Sequence, residues 1–392
     1  MQHESRLPEP DSQSAGHSRQ VARFIRNRIA AAGGSISFAE FMQHALYAPG
    51  LGYYAAGTAK FGAAGDFVTA PEVSSVFGRV LARQCAEVLA GVDGGTILEY
   101  GAGSGRLAVD MLRALDELGA LPGRYDILEV SADLRERQEQ LLQLEAPQQA
   151  PLVNWLDGPP AEHSGVVIAN EVLDALPVER FRRTADGVRQ LRVAAEQETF
   201  VVVEDDAPGI LSTAVDAIEA ELGDVLPDGF TSEVSLGMPG WIAELAERFR
   251  QGIVFLFDYG VARREYYAAE RDGGWLRCHF RHHAHDAPMI LAGIQDITAW
   301  VDFTAVAEAG VAAGMDVAGF APQAQFLMDG GLDIEMQSFA SLSPLAQLEL
   351  STGIKTLTLP GEMGERFKCM ALRRGDVAVP SAFHRADRTH TL

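Results

Sequence analysis

The sequence predicts an α/β protein, a mostly parallel sheet with helices on both faces. Two observations carry this. Strand-like and helix-like segments alternate from Thr96 onward. One segment, Gly165-Val166-Val167-Ile168-Ala169-Asn170, contains an uninterrupted apolar run, the pattern of a strand buried on both faces.

The elements follow in order. Residues 1–17 are polar and aperiodic, which predicts a disordered tail. From Ser18, the apolar residues Val21, Ala22, Ile25 and Ile29 recur at helical spacing up to Gly33-Gly34. Ser37-Phe38-Ala39-Glu40 is a capping-box pattern and opens a short helix through Leu46. Residues 49–71 are rich in glycine and aromatics, which predicts an ordered loop, and a helix follows from Ser74 to about Ala90. Thr96–Tyr100 begins the alternation, and the apolar stripe of Leu107, Met111, Leu112 and Leu115 marks a helix from Gly105 to Leu118. Further strands are predicted at Tyr125–Val130, Pro151–Trp155, Gly165–Asn170 and Gly252–Asp258, then at Met315–Phe320 and Phe367–Leu372. A helix is predicted at Ala132–Glu145 and another near 303–313. Two stretches break the alternation. Residues 180–205 alternate around Asp186-Gly187, a hairpin signal. Residues 261–300, with His279, His282, His283 and His285, predict a long functional connection. The expected domains are thus a helical segment and lid at 18–92, a core at 93–375 interrupted at about 180–205 and 261–300, and a flexible tail at 376–392.

Composition narrows the function. The chain has 392 residues, 47% hydrophobic and 22% charged, enough for a sizeable core and unlike fibrous or unfolded chains. Its net charge of −22 would repel a phosphate backbone, so no nucleic-acid partner is expected. The cysteines Cys85, Cys278 and Cys369 are odd in number and lie at no metal spacing, which suits a reducing compartment, and no metal is expected. No apolar run reaches the ~18 residues of a membrane span. Glu4, Glu9 and Asp11 do not suit a transit peptide, so a cytoplasmic location and no membrane partner are expected.

The segment that speaks most directly to chemistry is Glu99-Tyr100-Gly101-Ala102-Gly103-Ser104-Gly105, between the first strand of the alternation and its helix. Glycines there allow a tight turn and close approach of a ligand to main-chain N–H groups. A dinucleotide fingerprint would need glycine where Arg106 stands. GxGxG with an acid two residues before it is the form used by S-adenosylmethionine sites. Glu129, at the end of the next strand, is placed to bind ribose hydroxyls, and Trp155 and Leu156 to flank an adenine. Trp155 as a core residue is the plain alternative. Asn170-Glu171-Val172-Leu173-Asp174-Ala175-Leu176-Pro177 falls at a strand's carboxyl end, where open α/β sheets bind ligands. Paired carboxylates suit a guanidinium, whose planar fork they can hold; a helix cap at Asp174 is the structural alternative.

These motifs resemble those of the MidA family of S-adenosylmethionine-dependent methyltransferases, whose mitochondrial members are complex I assembly factors that methylate a protein arginine. The resemblance spans residues 46–368 in family order. Beyond the glycine loop, Glu129-Val130-Ser131 and the Asn170 octapeptide, it rests on Leu46–Tyr54, Gly65–Ser74, Gln295–Phe303 and Met363–Lys368. It implies a Rossmann-like class I methyltransferase core with a seven-stranded, mostly parallel sheet. It implies S-adenosylmethionine as cofactor, on Glu99, Gly101, Gly103, Gly105, Glu129 and Trp155, with a lid carrying Phe67 and Thr69. It makes Asn170, Glu171 and Asp174 the catalytic group facing an arginine of a partner protein. The chain departs from the family at Ala102, where proline is usual, and at Val172-Leu173, where aromatics are frequent. The alternatives are an assembly chaperone that keeps the cofactor pocket and a nicotinamide-dependent dehydrogenase.

Overall fold

The computed structural model describes residues 7–55 and 68–392. Phe67 and the greater part of the expected lid lie outside the described residues. The described chain forms two units, each assembled from three stretches of sequence.

One unit comprises residues 68–173, 239–262 and 301–392. Its sheet contains β1 (Thr96–Tyr100), β2 (Tyr125–Leu128), β3 (Val153–Leu156), β4 (His163–Asn170), β5 (Phe249–Val261), β6 (Val301–Asp302), β7 (Asp316–Pro322) and β8 (Phe367–Arg374). The spatial order is β7-β8-β5-β4-β1-β2-β3, with β6 paired to β5. β3, β2, β1, β4 and β5 run parallel, and β8 lies antiparallel between β5 and β7. The sheet thus has the seven expected strands and a short eighth, β6. Two residues are too few to register as a sequence period.

The core explains the apolar runs. Val166 and Ile168 of β4 and Ile253, Phe255 and Phe257 of β5 are fully buried. Phe257 meets Phe77 and Phe326 edge-on at 5.1 Å each. At the base of these strands Gly252 pairs with Gly165. Both have φ well above zero, and a Cβ on Gly252 would lie 1.8 Å from the Gly165 carbonyl oxygen. Only glycine fits there.

The other unit holds the described residues before Val68, with Asp174–Met238 and Arg263–Trp300. The hairpin expected at Asp186-Gly187 is present, with Thr184 opposite Gly187. It belongs to a five-stranded antiparallel sheet that also recruits Ser35–Ser37, Thr199–Asp206 and Thr231–Val234. The capping box is complete: Ser37 Oγ accepts from Glu40 N at 3.1 Å, and Glu40 Oε2 accepts from Ser37 N at 2.9 Å. Replacing Ser37 with alanine is expected to cost about 1 kcal/mol, measured as a lower denaturant midpoint at unchanged slope.

Three expectations differ from the structure. The first helix starts at Ser12, because Asp11 caps it by accepting from Gln13 N and Ser14 N. Residues 261–300 include a three-stranded antiparallel sheet, Leu276–Phe280, His283–His285 and Asp296–Ala299. Residues 376–392 are packed: Phe383 is buried, and Ser381 donates to Glu87 Oε1.

Candidate active site

The glycine loop leaves β1 and turns into the helix Arg106–Glu117. Gly101, Gly103 and Gly105 all have left-handed φ, at +65°, +55° and +84°. That conformation strains a side chain, which is the physical reason for three glycines in five residues. Gly101 N donates to Leu128 O and Gly105 N to Ala102 O. The N–H groups of Ala102, Gly103 and Ser104 donate to no acceptor among the described residues. These amides and the helix N-terminus behind them favour a ligand carboxylate. Arg106, at the place of the missing third glycine, turns its guanidinium to Glu145 at 2.7 Å.

Below the loop lies a buried polar network that the sequence does not announce. Gln138 is fully buried. Its Nε2 donates to Gly103 O at 2.9 Å and to Glu129 Oε2 at 3.2 Å, while its Oε1 accepts from Trp155 Nε1 at 2.8 Å. One amide therefore ties the loop, the expected ribose acid and the expected adenine neighbour together. Glu129 Oε1 also accepts from Ser131 N at 2.9 Å. The signal available for Gln138 was a lone amide in an apolar stripe, between Leu134 and Leu142.

Glu99 is buried and accepts from the Tyr125 hydroxyl at 2.7 Å. Burial raises its pKa to about 7; the Tyr125 hydrogen bond opposes the shift, and the Glu129 charge adds to it. A carboxyl group with a raised folded-state pKa binds more protons folded than unfolded. Its contribution is complete below the ordinary value of 4.5 and is lost as pH rises through about 7. Glu99→Gln is therefore expected to reduce the fall in stability across that window and to be the more stable form at pH 8, by about 1 kcal/mol or more. Denaturation at a series of pH values measures this.

Thr69 precedes the short helix Ala70–Val73, and Glu72 on that helix accepts from the Ser104 hydroxyl. The start of this helix is thereby held to the glycine loop.

At the end of β4, Glu171 has φ +54°, a left-handed value rare outside glycine, and its N–H donates to Phe257 O at 2.8 Å. Asn170 Nδ2 donates to Glu171 Oε1 at 3.3 Å. Asn170 Oδ1 is buried and accepts nothing among the described residues. The register sets Ala169 beside Tyr100, and a Cβ on Gly101 would lie 3.7 Å from Val172 Cγ2. Asn170 and Glu171 therefore share one edge of the sheet with the glycine loop. The buried Asp258 fixes the turn that follows them, its Oδ2 accepting from Leu173 N at 2.9 Å.

Asp174 opens the second stretch of the antiparallel unit and is buried. Tyr47 donates to Ala175 O at 2.9 Å and Tyr54 to Asp296 Oδ1 at 2.9 Å, the two rings stacked at 5.5 Å. Burial, then the charges of Asp296 and Asp174, push both hydroxyls well above the ordinary tyrosine range. Three motif blocks far apart in sequence, around Tyr47, Asp174 and Asp296, meet in this cluster.

The comparisons with known proteins agree with this geometry. Residues 80–321 match the model of Methyltransf_28, a family described as S-adenosyl-L-methionine-dependent methyltransferases. A crystal structure from Burkholderia thailandensis, bound to S-adenosyl-homocysteine, superposes with a TM-score of 0.93 at 38% identity, covering 99% of this chain and 100% of that one. The mitochondrial protein arginine methyltransferase NDUFAF7 of Mus musculus is 30% identical over 91% of this chain and 85% of its own length. That of Danio rerio is 29% identical over 91% and 87%. With three bare glycines, free amides and a buried acid after β2, the residues present fit the donor that the family uses. The chain belongs to the MidA family of Rossmann-like, S-adenosylmethionine-dependent methyltransferases.

Proposed function

We propose that this methyltransferase acts on a guanidino nitrogen of an arginine in a partner protein. The observation that carries this is the Asn170-Glu171 pair, presented at the end of β4 beside the glycine loop with one amide oxygen still open. The name of the NDUFAF7 relatives as protein arginine methyltransferases supports the same acceptor.

When bound, S-adenosylmethionine supplies a methyl group activated by a sulfonium. The chain has to hold the donor, align the acceptor and take up a proton. Gly101, Gly103, Gly105 and the free amides around them are assigned to the methionine part, Glu129 to the ribose and Trp155 to the adenine side. Glu99 supports the loop from below, and Thr69 closes it from the short helix. Glu171 is assigned to the guanidinium, whose planar fork matches carboxylate geometry, and the family resemblance is the ground for giving Asp174 an acceptor-facing role. Asn170 Oδ1 is left to align one N–H of it. Holding the charge on the far nitrogens leaves a lone pair on the attacking one, and the proton it sheds on methylation passes to Glu171.

The experiment is mass spectrometry of arginine sites in a deletion strain and its parent. A site methylated only in the parent is expected; an unchanged profile would overturn the arginine assignment. The three buried, unpaired cysteines support a reducing compartment, and we place the protein in the cytoplasm.

A further inference from the structure

We propose that the antiparallel unit carries a second ligand site, for a small monocarboxylate with an apolar body, separate from the methyl-transfer chemistry. A cavity of about 500 Å³ opens within this unit, lined among others by Ala22, Arg180, Phe200, Met289, Ile290 and Leu291. That volume lies in the range of small-molecule sites, roughly 300–1,000 Å³, which pair mostly apolar walls with few polar groups.

Arg180 supplies the polar group. Its Nε donates to the fully buried Glu233 at 3.2 Å, and its guanidinium lies 5.6 Å from the Phe38 ring. The ion pair and the ring fix the plane of the fork. Its two terminal nitrogens donate to no acceptor among the described residues. A planar guanidinium with a free edge is matched by one carboxylate.

The two acids of the lining do not oppose this. Glu198 pairs with Arg26 at 3.0 Å and Asp286 pairs with Arg277, so each of these charges already has a partner. The apolar wall is held in advance. Gln295, fully buried, donates from Nε2 to Pro288 O at 2.9 Å and to Ile290 O at 2.6 Å, which shapes the loop carrying Met289 and Leu291. A wall fixed before binding costs the ligand little ordering. One guanidinium edge without an acceptor, among mostly apolar walls, selects an anion with a hydrocarbon or aryl body.

Titration of the full chain with octanoate and with octanamide, followed by ligand-observed NMR, tests the site. Octanoate is expected to bind in the millimolar range or tighter, and octanamide at least about tenfold more weakly, the loss of one charge-assisted contact. Arg180→Met should bring octanoate down to the level of octanamide. Because that change leaves Glu233 buried without its ion pair, Ala22→Trp is the second variant. It fills the groove from the first helix, keeps the Arg180–Glu233 pair, and should abolish octanoate binding without lowering the melting temperature. Equal affinity for octanoate and octanamide, no binding of octanoate, or undiminished binding by Ala22→Trp would each overturn the proposal. S-adenosylmethionine binding is expected to be unchanged in Ala22→Trp, so this outcome is independent of the arginine assignment.

Discussion

Glu171→Gln is expected to slow methyl transfer about a hundredfold or more while S-adenosylmethionine affinity changes less than about threefold. The amide keeps the volume and one acceptor oxygen of the side chain, but it can neither balance a guanidinium nor receive its proton. The backbone at this position argues against a purely structural role. Its φ of +54° is one that glycine or asparagine would adopt more cheaply, yet an acid occupies it beside Asn170. Single-turnover transfer to an arginine peptide, set beside calorimetric binding of the donor, measures both quantities. If the protein works instead as an assembly chaperone that keeps its pocket, Glu171→Gln would still rescue partner assembly in a deletion strain. Loss of rescue together with loss of transfer is the result expected of an enzyme.

Gly103→Asp is expected to weaken donor binding by at least about a hundredfold, close to 2.7 kcal/mol. Two effects add. At φ +55° a side chain carries left-handed strain, of order 1 kcal/mol or more. The new carboxylate also stands among the amides of Ala102, Gly103 and Ser104, where it competes with the donor's own carboxylate for the same N–H groups. Calorimetry with S-adenosylhomocysteine provides the number, and far-UV circular dichroism checks that the helix Arg106–Glu117 is still formed. Near wild-type affinity would remove the glycine loop from the site.

The parallel sheet was legible because burial on both faces leaves runs such as Val166–Ala169 and Ile253–Phe257 with no polar interruption. The glycine loop was legible because left-handed backbone demands a residue type that stands out. The antiparallel unit was harder. Strands of three to five residues such as His283–His285 and Leu276–Phe280 are too short to show a period of two. Its polar cluster joins Tyr54 to Asp296 across 242 residues, a separation no local window spans. Gln138 showed only as a lone amide in an apolar stripe, and its role could not be read there: it connects three neighbours, none of them near it on the helix. The start of the first helix turned on a single cap, Asp11, in a stretch whose composition otherwise read as unstructured.

The interleaved order of the chain has a consequence for its synthesis. The helix Phe38–Tyr47 finds its core partners at Val178, Val193, Leu276 and Ile297, all added long afterwards. At roughly 5–20 residues per second, a ribosome leaves that apolar face without its last neighbours for about ten seconds or longer. An emerging polypeptide of this layout carries that face uncovered until the later stretches arrive, and a product truncated before Ile297 would lack part of this core.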